Sequence, residues 1–92
     1  MINMKNKIAI IGIIVEDNSC INELNDLLHK YNEIIIGRMG VPYRDRKIGV
    51  ISIIIDSDND TINSLSGKLG KISGITSKTM FAKVAENDWY FR

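Results

Sequence analysis

Cysteine, histidine, proline and tryptophan each occur once among the 92 residues of this chain. A single cysteine excludes an internal disulfide framework, so an apolar core has to hold the fold. The scarcity of soft ligands also argues against a metal centre. Cys20 and His29 lie nine residues apart in one helix-forming stretch. At about 100° per residue they point to roughly opposite sides of that helix and cannot share an ion within one chain. No metal site and no cofactor are expected.

Charge of one sign is missing too. Twelve basic residues face 11 acidic ones, for a formal net charge of +1. Such a balance excludes strong electrostatic capture by nucleic acid or an anionic membrane, so neither is an expected partner. The longest mostly apolar run, Ile8 to Val15, is far too short to span a bilayer. Lysines precede that run, but no small-residue cleavage site follows it and the chain continues into Glu16-Asp17. A secretory signal is therefore not expected, and the cytoplasm is the expected location. Nor does the sequence hold an acid–base pair or a nucleophile with its base, so catalysis is not expected and no catalytic residues are assigned.

What the chain does have is isoleucine in strand-like runs. Residues 1–92 read as one domain, with a core over about 7–84, a loose start at 1–6 and an aromatic tail at 85–92. Lys7 to Val15 forms a first strand, apolar on both alternating sets: Ile8, Ile10 and Ile14 on one, Ala9, Ile11, Ile13 and Val15 on the other. Glu16-Asp17-Asn18-Ser19 breaks it and offers caps for a helix whose stripe is Ile21, Leu24, Leu28 and Tyr31, widened by Leu27. A second strand runs over about Glu33 to Val41, with the charged stretch from Pro42 to Lys47 as its turn. A third strand, Ile48 to Asp56, is again apolar on both sets except for Ser52. Ser57-Asp58-Asn59-Asp60 caps a second helix with Ile62, Leu65, Leu69 and Ile72 on its stripe, and Gly70 and Gly74 stop it. A more polar strand, about Ile75 to Val84, closes the domain as an edge.

The order β-α-β-β-α-β, with two similar cap clusters, predicts an α+β, ferredoxin-like sandwich: a four-stranded antiparallel sheet with both helices on one face. The first and third strands are expected to be central and parallel to each other. Helices cover only one face of that sheet, so the second apolar set would meet water. The expectation is a homodimer or homotetramer formed through the open sheet face. The Ser52 set, with Arg38 beside Ile34 and Ile36 on the second strand, is assigned to that interface. The Ile53 set is assigned to the core.

Three short motifs invite chemical readings. Asp56, Asp58 and Asp60 alternate as in a calcium loop, but the required glycine and terminal glutamate are missing, and helix capping accounts for them. Ser66-Gly67-Lys68-Leu69-Gly70-Lys71 has phosphate-loop residues at the wrong end of a helix. The third, Gly37-Arg38-Met39-Gly40 followed by Tyr43 and Arg44, places an arginine between two strand glycines. Glycine inside a strand marks a bulge or a close backbone approach, and the arginine can grip a carboxylate or phosphate. These six residues, with Asp17 and Asn18 of the first strand-to-helix loop, are the candidate ligand site. The alternatives are a solvated hairpin end and a helix cap.

Ile10-Ile11-Gly12-Ile13-Ile14-Val15-Glu16-Asp17, Ile36-Gly37-Arg38-Met39-Gly40-Val41-Pro42-Tyr43-Arg44 and Ser64-Leu65-Ser66-Gly67-Lys68-Leu69-Gly70 resemble the iron-only hydrogenase system regulators over about residues 7 to 83. The resemblance implies an ACT-like fold similar to the C-terminal regulatory domain of the nickel-responsive repressor. It also implies assembly into dimers or tetramers and a proposed regulatory role in hydrogenase expression or maturation. It brings no catalytic residues. The repressor's metal site needs several histidines and a cysteine, and its DNA-binding domain is separate from the regulatory one. The reading is thus a non-catalytic sensor that binds a small ligand, an amino acid or other anion, at a subunit interface. The alternative is an interaction module that binds a regulator or maturation enzyme and no small molecule.

Overall fold

The computed structural model describes residues 6–83. Four strands and two helices follow in the expected order: β1 (Asn6–Val15), α1 (Ile21–Lys30), β2 (Ile35–Tyr43), β3 (Ile48–Asp58), α2 (Asn59–Gly70) and β4 (Ile75–Phe81). Short 3-10 turns, Asn18–Cys20 and Asn32–Ile34, flank α1. The aromatic tail and the packing expected of it lie outside the described residues.

The sheet has the order β2-β3-β1-β4. Each helix joins two parallel strands with one strand inserted between them, which is the ferredoxin-like arrangement. The two central strands are antiparallel, in register from Asn6↔Asp58 to Val15↔Gly49, and this corrects the expectation that they run parallel. The reason is the β2–β3 hairpin. β2 returns parallel to β1 after its helix, and the hairpin then reverses β3, which slots between them.

Alternation sorts the isoleucines. Ala9, Ile11, Ile13 and Val15 of β1 and Ile53 and Ile55 of β3 are buried beneath the helices. They meet Leu24 and Leu28 of α1 and Ile62, Leu65 and Leu69 of α2, the positions that the helical spacing selects. The core is thus the Ile53 set, as the sequence reading has it. Asp58 caps α2 by accepting from the Thr61 backbone N–H at 3.0 Å and from its hydroxyl at 2.6 Å. Those bonds, the hydroxyl first, hold the Asp58 carboxyl below the usual carboxylate range.

A bulge changes the second strand. Ile35 pairs with Ile55 but Gly37 already pairs with Ile54, so Ile36 is an extra residue. Side chains alternate with a period of two, so one insertion exchanges the faces of everything after it. Gly37, Met39, Val41 and Tyr43 therefore share a face with Ile54, Ser52, Val50 and Ile48, while Arg38 shares one with Ile53. Arg38 lies on the helix side of the sheet. This corrects its assignment to the open face beside Ser52.

Candidate functional site

The open face of the sheet forms ridges and a trough. One row across the strands reads Gly37, Ile54, Ile10, Met80, and another reads Val41, Val50, Ile14, Thr76. Between them lies the row Met39, Ser52, Gly12, Lys78. The trough exists because its two central residues are small, and a Cβ added at Gly12 would touch nothing within 4 Å. Ile10, Ile14, Val50, Ile54, Met39, Val41, Tyr43 and Met80 are all exposed here, Met39 by 65%. At about 200 Å² for a fully exposed large side chain, they present roughly 800 Å² of apolar surface, close to one partner's share of a standard protein interface. That exceeds the few hundred Å² common on monomers.

The candidate ligand residues do not converge within one subunit. Gly37, Met39 and Tyr43 face the open side, and Arg38 and Gly40 the helix side. Arg44 sits in the hairpin turn, where its carbonyl accepts from the Lys47 N–H at 3.2 Å. Asp17 and Asn18 follow β1, at the sheet end that also carries Tyr43 and Arg44. From the Arg38 row, that end is four residues along and two strands across, roughly 16 Å from the spacings of a sheet. Neither Gly37 nor Gly40 is required by crowding, since added Cβ atoms would meet nothing nearer than 3.5 Å and 3.9 Å. Gly37 adjoins the bulge, and among the described residues nothing beside Gly40 demands a glycine.

Asp17 accepts the Ser19 N–H at 2.9 Å, and that bond holds its carboxyl below the usual range. This loop is clasped to the α2–β4 connection, because the Glu16 and Asp17 N–H groups both donate to the Gly74 carbonyl, at 2.8 and 3.1 Å. Asp17 thus acts as a cap, while Asn18 is the first residue of the 3-10 turn.

Two clefts flank α1. One, of about 350 Å³, lies between α1 and β2 and is lined by Asn25, Leu28, His29, Asn32, Ile35 and Arg38. The Arg38 guanidinium donates to Asn25 Oδ1 at 3.0 Å across it. Sequence reasoning did not connect His29, Asn25 and Asn32 with Arg38. The available signal was their spacing, i, i+4 and i+7, around Leu28. The other cleft, of about 520 Å³, lies between the helices and includes Glu23, Asp26, Lys30 and Lys68. Beside it, Lys68 donates to the Tyr31 oxygen at 2.9 Å, and its ammonium lies 5.2 Å from the ring centre. That hydrogen bond, with a lesser one between Tyr31 and Ser64, holds the Tyr31 phenol below the usual tyrosine range. Among the described residues no three of His, Cys, Asp and Glu gather to hold a metal ion, and no helix is long and apolar enough to cross a membrane.

Residues 7–79 match the family described as "TM1266-like: Iron-only hydrogenase system regulator, putative". The fold is similar to that of the uncharacterized protein TM1266 from Thermotoga maritima, with 39% sequence identity and a TM-score of 0.81 over 85% of this chain and 99% of that one. No curated protein matches the chain.

Proposed function

This chain belongs to the TM1266-like family of iron-only hydrogenase system regulators, and from that premise we propose that it is a non-catalytic regulatory module of the cytoplasm. It self-associates through the open face of its sheet and takes a small ligand beside the Gly37–Arg38 stretch. The observation that carries this reading is the apolar open face, with its two ridges and the trough at Gly12 and Ser52. A second copy, turned about a two-fold axis, offers ridges that can enter that trough, so the surface is complementary to itself. Among the described residues no helix covers this face, and covering it removes roughly 800 Å² per subunit from water.

One observation favours the alternative of an interaction module without a ligand. The candidate ligand residues fall into separate groups within the subunit. In that reading a regulator or maturation enzyme takes the place of the second copy. Sedimentation velocity on the purified chain decides between them. The parent should run as a dimer or tetramer, and Val50→Lys should run as a smaller species with an unchanged circular dichroism spectrum. A parent that stays monomeric at high micromolar concentration overturns the self-association and leaves the interaction module.

A further inference from the structure

We propose that the cleft between α1 and β2 binds a small oxyanion, a carboxylate or phosphoryl group, through Arg38, His29, Asn25 and Asn32. The proposal rests on the reading that the module takes a ligand beside the Gly37–Arg38 stretch. It places that ligand within a single subunit, on the helix side of the sheet, and adds three residues of α1 and its following turn.

The argument starts at the bulge. Without the extra residue at Ile36, Arg38 would project from the open face. With it, the guanidinium reaches over the edge of the sheet to α1. Its side-chain hydrogen-bond partner among the described residues is the neutral amide oxygen of Asn25, at 3.0 Å. A guanidinium carries five N–H donors in a planar fork that matches the two oxygens of a carboxylate or phosphoryl group. The Asn25 bond occupies one side of the fork and orients it. It leaves the charge without a carboxylate in that contact and the remaining donors available.

The other lining residues are suited to the same ligand. With its oxygen accepting from Arg38, Asn25 keeps its amide N–H groups for a second acceptor. His29 follows four residues later on the same side of α1, and Asn32 opens the 3-10 turn after the helix, where it lines the same cleft. Both are exposed donors on the cleft wall. Leu28 and Ile35 make its apolar part, against which a short carbon skeleton can lie. A volume of about 350 Å³ suits a small metabolite. The C-terminal end of α1 opposes an anion with about half a negative charge, and Glu33 adds to it. The Arg38 guanidinium, in the cleft itself, opposes them with a full positive charge.

The test is a titration of the 15N-labelled chain followed by NMR, at constant ionic strength, with inorganic phosphate in one arm and succinate in the other. Saturable shifts of the Asn25 and Asn32 side-chain amides and the Arg38 Nε–H are expected in at least one arm, and the arm that saturates names the oxyanion. Arg38→Gln should weaken that binding by about tenfold or more, as expected for a charged hydrogen bond. Asn32→Asp, which puts a like charge in the cleft, should weaken it as well. Val50→Lys should bind as the parent does, whatever its oligomeric state. Failure of self-association therefore leaves this proposal standing, and failure of the cleft leaves self-association standing. Shifts that are absent, that grow linearly at scattered lysines, or that persist in Arg38→Gln overturn it.

Discussion

Single residues carry three predictions. Leu65 is fully buried between α2 and the sheet, so Leu65→Ala should cost roughly 2–5 kcal/mol, read from urea unfolding. Asp58 stabilises the fold through its ionised form. Its folded-state pKa is depressed, so that contribution is complete above the unfolded carboxylate value and is lost as pH falls through the folded one. Asp58→Asn, which keeps an acceptor but cannot ionise, should therefore flatten the acid limb of a melting-temperature–pH curve. The same sign holds for Tyr31, whose phenolate forms below the usual tyrosine range because Lys68 donates to its oxygen. In Lys68→Met, the phenolate absorbance contributed by Tyr31 should appear at higher pH than in the parent. An unchanged titration curve would separate Tyr31 from Lys68 in solution.

Between elements, the decisive contacts are a clasp and a bulge. Gly74 stands at φ +97°, and a Cβ there would lie 2.9 Å from the Asp17 Cβ. Gly74→Ala should therefore destabilise the fold by roughly 1–3 kcal/mol, through backbone strain together with displacement of the Glu16–Asp17 loop. Gly67→Ala adds its methyl in open space on α2, away from the open face, so it provides the control and should not destabilise the fold. The bulge at Ile36 was not legible in the residues. An insertion of one in a run of isoleucines leaves the apolar pattern intact and changes only its phase. Gly37 was the one trace of it, since a strand glycine often marks a bulge. The helices were readable for the opposite reason. Ile21, Leu24 and Leu28, and Ile62, Leu65 and Leu69, repeat at helical spacing with polar residues between them, and that pattern has one solution.

For the whole molecule, the two faces of the sheet should respond differently to a charge. Ile53 is fully buried under the helices, and Ile53→Lys places an unpaired ammonium there. The cost is several kcal/mol against a total stability of roughly 5–15 kcal/mol, so the variant should be largely unfolded by circular dichroism. Val50 is 42% exposed on the open face, so the same substitution there should leave the fold in place. If the open face associates, the parent's melting temperature should also rise with protein concentration, because association binds the folded state only. A melting temperature independent of concentration over two decades would count against the self-association reading.

The order of elements, the cap clusters, the stripes of both helices and the split of β1 and β3 into two apolar sets follow from the sequence alone. Each depends on residues near in the chain, through periods of 3.6 and 2 and through side chains that satisfy helix ends. The antiparallel pairing of β1 with β3, the meeting of Gly74 with Asp17, and the side from which Arg38 projects were decided only by the tertiary structure. These depend on how distant strands come into register. In a sheet whose strands are apolar on both sets, burial favours neither phase of the alternation over the other, so the hairpin and its bulge settle which side chain faces the helices.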